Sequence, residues 1–184
     1  MTGAGSVEGD ARVRLFCALT IPEDGVRGVV EWQGRLPDGD FRPVPADNLH
    51  VTLAFLGARP ERELDAIGGE LAAAAGAARP IVLTASRYRE TQSVGMLVLD
   101  DEDGAASALA ADLAGRLARL GVCEPEARPW LPHLTVVRFR RPPRLSPAVP
   151  ELRLVPSGAA VYLSRLRRSG AEYVVVQRFG LGGS

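Results

Sequence analysis

HVTLAFLG at residues 50–57 and HLTVVRFR at 133–140 decide how this chain is read. Each opens His-x-Thr and continues as a short apolar run rich in β-branched residues, which is strand composition. Side chains alternate faces along a strand, so His50 and Thr52 share one face, with Val51, Leu53 and Phe55 expected on the other. In the second stretch His133 and Thr135 share a face, opposite Leu134 and Val136. The chain has two histidines, and each is followed two positions later by a threonine. With threonine this scarce, random placement would give that coincidence in roughly one sequence in a thousand. A single His-x-Thr says nothing. Two that use every histidine mark a paired site.

A chain of 184 residues suits one well-buried domain, or two small lobes sharing a core. Its hydrophobic fraction is ordinary for a globular protein, and its formal net charge is zero. That zero conceals an asymmetry. Residues 1–104 carry 10 Arg against 17 acids, whereas residues 105–184 carry 12 Arg against 5. All 22 basic residues are arginine, with no lysine. Coding bias accounts for much of that, but guanidinium is also the group that grips phosphate with two parallel hydrogen bonds. Cys17 and Cys123 have neither disulfide-framework nor metal-ligand spacing, and Cys17 reads as a small core residue. The N-terminus lacks a basic signal-peptide start, and the apolar run 15–21 is too short for a bilayer. The expectation is a cytoplasmic protein without membrane attachment, monomeric by default.

Residues 1–11 read as a disordered Gly-rich tail, and 12–184 as a single two-lobed domain. Val13–Ile21 reads as a buried strand, followed by a helix from Pro22 to about Leu36. The first motif strand spans Leu49–Leu56, with Gly57 expected to close it. Helical periodicity covers 60–78, with Leu64, Ile67, Leu71 and Ala75 on one stripe. Strands are expected at 81–88 and 94–99, then a helix at 103–120 with Gly121 as its C-terminal cap. The second motif strand, 133–139, precedes strand-like runs at 149–154, 159–163 and 173–179. The class is α+β: two mostly antiparallel sheets facing a central cleft, pseudo-two-fold, with helices on the outer faces.

Histidine gives or takes a proton near neutrality, and a facing pair can divide the work as base and acid. A threonine beside each supplies a hydroxyl donor for a non-bridging phosphoryl oxygen. An in-line displacement at phosphorus needs a base on the entering side and an acid on the leaving side. The sequence shows no P-loop, no G-x-G-x-x-G, no G-x-S-x-G and no ligand cluster for a metal. Arg138 is a candidate phosphate clamp, although strict alternation turns it away from His133, so it needs a bulge or a strand end to reach the site. Trp130 is a candidate to stack a base, with packing the competing role.

These residues resemble the two H-x-T-x signatures of the 2H phosphoesterases, and more narrowly the RNA 2′,3′-cyclic phosphodiesterases of the LigT type, also known as 2′-5′ RNA ligases. RLFCALTIP is similar to that family's opening strand, DNLHVTLAFLG to its first signature, RPWLPHLTVVR to its second and VYLSRLRRSGAEYVVVQRFGL to its final hairpin. The resemblance implies hydrolysis of an RNA terminal 2′,3′-cyclic phosphate to a 2′-phosphomonoester, with no cofactor or metal. It implies His50 as the acid that protonates the departing 3′ oxygen and His133 as the base that activates water. It further implies Thr52 and Thr135 as phosphoryl-oxygen ligands, and a reverse 2′-5′ joining reaction. The alternatives are hydrolysis of another small cyclic nucleotide or 2′-5′ oligonucleotide, and a non-catalytic RNA or nucleotide binder.

Overall fold

The computed structural model describes residues 11–124, 128–167 and 170–182, so of the expected tail only Ala11 falls among them. The first apolar run forms β1 (Arg12–Thr20). Its Leu15, Cys17 and Leu19 enter the main core, whereas Phe16 and Ala18 enter a separate small cluster on the opposite face. Pro22 caps helix α1 (Glu23–Gln33), and Glu23 and Asp24 sit in the first turn where the helix dipole favours acids. A two-residue strand, β2 (Arg42–Pro43), and a 3-10 turn (Ala46–Asn48) lead to the first motif strand, β3 (His50–Pro60). Helix α2 (Leu64–Gly76) buries Ile67, Leu71 and Ala75 of the expected stripe, together with Ala74, while Leu64 is only partly buried against the core. The hairpin β4 (Leu83–Glu90) and β5 (Val94–Asp100) precedes helix α3 (Ala105–Arg119). The second motif strand is β6 (His133–Arg138), and the chain closes with β7 (Arg153–Leu154), β8 (Gly158–Arg167) and β9 (Gly170–Gly180).

The strands form two antiparallel sheets, ordered β3-β1-β8-β9 and β2-β6-β5-β4-β7. The α+β class with two antiparallel sheets is therefore as read. The motif strands β3 and β6 approach each other where the sheets meet. Helices α2 and α3 back the first sheet. Helix α1 instead crosses to the second, where Gly25 lies against Leu154 and Trp32 sits 6.0 Å from Tyr88. One contiguous core spans both sheets, with Leu15 and Leu53 contributed by the first and Leu97 and Leu134 by the second. Cys17 is fully buried in it, and burial pushes its thiol up to about 12, which leaves it chemically inert. Among the described residues no helix is long and apolar enough to cross a membrane.

Three expectations change. Gly57 does not end the first motif strand: it takes φ +67° within β3, which continues to Pro60 against Arg12. Phe55 does not share a face with Val51. Register shifts against β1 leave Leu53 and Leu56 as extra residues, and the first, lying between Thr52 and Phe55, puts Phe55 opposite Phe16, on the same side as His50 and Thr52. The run 149–154 pairs only at Arg153–Leu154, since Pro150 has no N–H to give a ladder. Gly121 caps α3 as read. It takes φ +74° and donates to Ala118 O while Val122 donates to Leu117 O, the paired bonds of a Schellman turn.

Candidate active site

Each motif histidine opens its strand, and each is held in the same way. His50 Nδ1 lies 2.8 Å from Asn48 O, and His133 Nδ1 lies 2.9 Å from Leu131 O. A carbonyl oxygen only accepts, so Nδ1 must carry the proton in both rings. Nε2 is then the titrating atom on both histidines. Asn48 is itself anchored: its Nδ2 donates to Ala171 O, and its Oδ1 accepts from Tyr173 N, fixing the start of β3 to β9.

His50 lies on an aromatic wall. Its ring is 4.7 Å from Phe16, 5.8 Å from Tyr162 and 5.2 Å, edge-on, from Tyr173. Phe16 and Tyr162 stack at 4.9 Å, and the 66% exposed Phe55 stands 6.0 Å from Phe16. Burial against these rings pushes the His50 pKa down to about 4; the Asn48 carbonyl opposes the shift, and the charges of His133 and Arg138 add to it. His50, His133 and Arg138 therefore share one electrostatic neighbourhood, although they come from different sheets.

Thr52 is buried opposite Ala18, and Thr135 lies opposite Met96 in the β5–β6 ladder. Among the described residues neither hydroxyl is engaged by a protein partner, which leaves both free as donors.

Arg138 emerges on the face of Thr135, through the kind of bulge that strict alternation required. The β5–β6 register shifts between Gly95 and Met96, which leaves Val136 as an extra residue. That bulge reverses the parity of β6 beyond it, so Arg138 emerges on the face of Thr135. Its Nη2 donates to the Tyr173 hydroxyl at 3.2 Å, from one sheet to the other. A buried glutamine holds the bulge: Gln33 Nε2 donates to Val136 O at 2.7 Å and to Val44 O at 3.1 Å, while Val44 N donates to the same Val136 O. Sequence reading misses Gln33, Asn48 and the aromatic wall. An amide near a helix end and tyrosines in strands carry no periodic signal, whereas the shared i−2 carbonyl is a feature only of coordinates.

Trp130 ties one motif to the other. Its Nε1 donates to Thr52 O at 2.9 Å, and its half-buried ring packs on the main core. The same ring lines a cavity of about 400 Å³ between β3 and α3, together with Leu53, Phe55, Ala110 and Ala114. The aromatic wall beside His50 is made of Phe16, Tyr162 and Tyr173, with Phe55 exposed at its edge.

The two sheets meet along strands that each begin with a carbonyl-tethered histidine, with a threonine hydroxyl on the same face. Residues 19–92, which hold His50 and Thr52, match the LigT like Phosphoesterase family. A relative from Thermus thermophilus, named RNA 2′,3′-cyclic phosphodiesterase, is 32% identical over 93% of this chain and 91% of its own length. A relative of the same name from Escherichia coli is 33% identical over 68% of this chain and 71% of its own. The crystal structure of TT0787 of Thermus thermophilus superposes with a TM-score of 0.80, at 30% identity over 93% of this chain and 99% of that one. The chain belongs to the LigT-like phosphoesterase family, a family of phosphodiester-cleaving enzymes by the names of these relatives.

Proposed function

We propose that the protein hydrolyses the 2′,3′-cyclic phosphate at the end of an RNA to a 2′-phosphomonoester, by proton transfer between two histidines and water, with no metal in the step. The matched tethering of His50 and His133 through Nδ1 carries this reading, because it leaves Nε2 free on both rings, on two strands that approach each other where the sheets meet. The names of the relatives supply the substrate class. One imidazole takes a proton from water as its oxygen bonds to phosphorus. The P–O3′ bond breaks on the opposite side, and the other imidazole gives its proton to O3′. Thr52, Thr135 and Arg138 hold the non-bridging oxygens through the transition state. Joining RNA ends through a 2′-5′ bond would use the same groups, with a 5′-hydroxyl in place of water.

Family resemblance makes His50 the acid and His133 the base. Burial favours the exchange of those roles in the empty enzyme: a His50 pKa near 4 leaves its Nε2 unprotonated at neutral pH, the state a base requires. The acid role would need the arriving phosphate anion to restore the proton. Phosphorus NMR of a cyclic-phosphate oligonucleotide incubated with the protein and EDTA tests the function itself. Conversion to a 2′-phosphate is expected; a cyclic signal that persists while binding is measurable would make the protein a nucleotide binder instead.

A further inference from the structure

The reversed parity of β6 has an effect on its edge neighbour. Strand β2 pairs with β6 so that Arg42 lies directly opposite Arg138. Directly opposed residues share a face, so Arg42 emerges beside Arg138 on the side of the histidines. Strand spacing separates their backbones by about 4.8 Å. Arg42, Arg138 and Arg140 line one cavity of about 410 Å³ together with Asp40, Phe41 and Phe139. Among the described residues the side chains of Arg42 and Arg140 have no ion-pair or hydrogen-bond partner, Asp40 included, and the side chain of Arg138 has only the Tyr173 hydroxyl.

Like charges set directly opposite one another destabilise a sheet unless something offsets them. A phosphate does so, since each guanidinium can grip it with parallel hydrogen bonds. With Arg138 committed to the reacting phosphate, Arg42 stands one strand further out, where the next phosphate of a nucleic-acid chain would lie.

We propose that Arg42, supported by Arg140, is a subsite for the phosphodiester on the 5′ side of the terminal nucleotide, so that the enzyme distinguishes an RNA end from a free mononucleotide. This rests on the cyclic-phosphate reading above and adds a length requirement to it. Bases of the same strand have the exposed ring of Phe55, backed by the buried Phe16, as a stacking surface on the facing wall, the usual division between an aromatic platform and a basic track.

The test compares kcat/KM for a dinucleotide ending in a 2′,3′-cyclic phosphate with that for the nucleoside 2′,3′-cyclic phosphate. Wild type should prefer the dinucleotide, and Arg42→Gln should reduce that preference by about tenfold, the order expected for one charge-assisted contact. The dependence of log KM for the dinucleotide on log salt should also flatten, by about 0.7 for one phosphate contact on a single strand. An unaltered preference in the variant, or no preference in wild type, overturns the subsite while leaving the chemistry standing. Failure of wild type to turn over either substrate overturns the cyclic-phosphate reading and the subsite with it. Arg42 is exposed on an edge strand, so loss of folding will not obscure the comparison.

Discussion

Arg138 on β6 donates to the hydroxyl of Tyr173 on β9, a 3.2 Å bond between sheets that share no ladder. The bond holds a guanidinium near enough to His50 for its charge to help keep that imidazole unprotonated. Arg138→Ala should lower kcat/KM by about tenfold or more through loss of a charged hydrogen bond to phosphate. It should also raise the pKa of His50, because a neighbouring cation is gone. Tyr173→Phe removes only the hydroxyl and should have the smaller effect on kcat/KM. Unchanged kinetics in Arg138→Ala would remove it from the site.

Substitution of either histidine by alanine should cut turnover by about a hundredfold or more, the usual contribution of general acid–base catalysis. An activated aryl phosphodiester separates the two roles, since a nitrophenolate leaves without needing a proton. Turnover of that substrate should survive in the variant lacking the acid and remain low in the variant lacking the base. Burial of His50 predicts that His133→Ala is the variant rescued. Rescue of His50→Ala instead would restore the assignment that family resemblance implies.

Folding stability should report His50 directly. Its folded pKa, about 4, lies below the ordinary 6.5, so on acidification the unfolded chain takes up the proton first. Stability is therefore unaffected above about pH 6.5 and falls as pH drops towards 4, by at most roughly 3 kcal/mol from this group. Urea unfolding of wild type and His50→Gln across pH 4–7 should show the two stabilities converging, or crossing, towards the acid end. Parallel curves would mean that His50 is not held neutral.

Gln33→Leu should cost about 1–3 kcal/mol, because it strips a buried donor from the carbonyls of Val136 and Val44. Its larger consequence is kinetic, since the Val136 bulge is what turns Arg138 to the face of Thr135. A lower denaturation midpoint together with a reduced kcat/KM is expected. A destabilised variant with normal kcat/KM would show that the bulge holds its shape without the amide.

Much of the molecule is legible in the chain itself. Period-two patterning places His50 with Thr52 and His133 with Thr135, and helical periodicity places Ile67, Leu71, Leu109 and Leu113 in the core. What alternation cannot supply is the interruptions. It puts Phe55 on the wrong face because one extra residue in β3, Leu53, shifts its register against β1. A bulge has no compositional signature in a run of Val and Leu, so neither the exposure of Phe55 nor the arrival of Arg138 is written in the residue types. Gly57 looks like a terminator because glycine so often is one, yet its positive φ here lets a kinked strand continue. Asn48 and Leu131 act through backbone carbonyls, which any residue type provides.

The indole of Trp130 fastens the approach to β6 onto the backbone of Thr52, so the two catalytic segments are sewn together in the same core that makes the protein fold. Opening the molecule between its sheets would break that bond and expose the core they share. The arrangement of His50 beside the second motif is thus fixed by folding itself, and the expense of ordering it falls there.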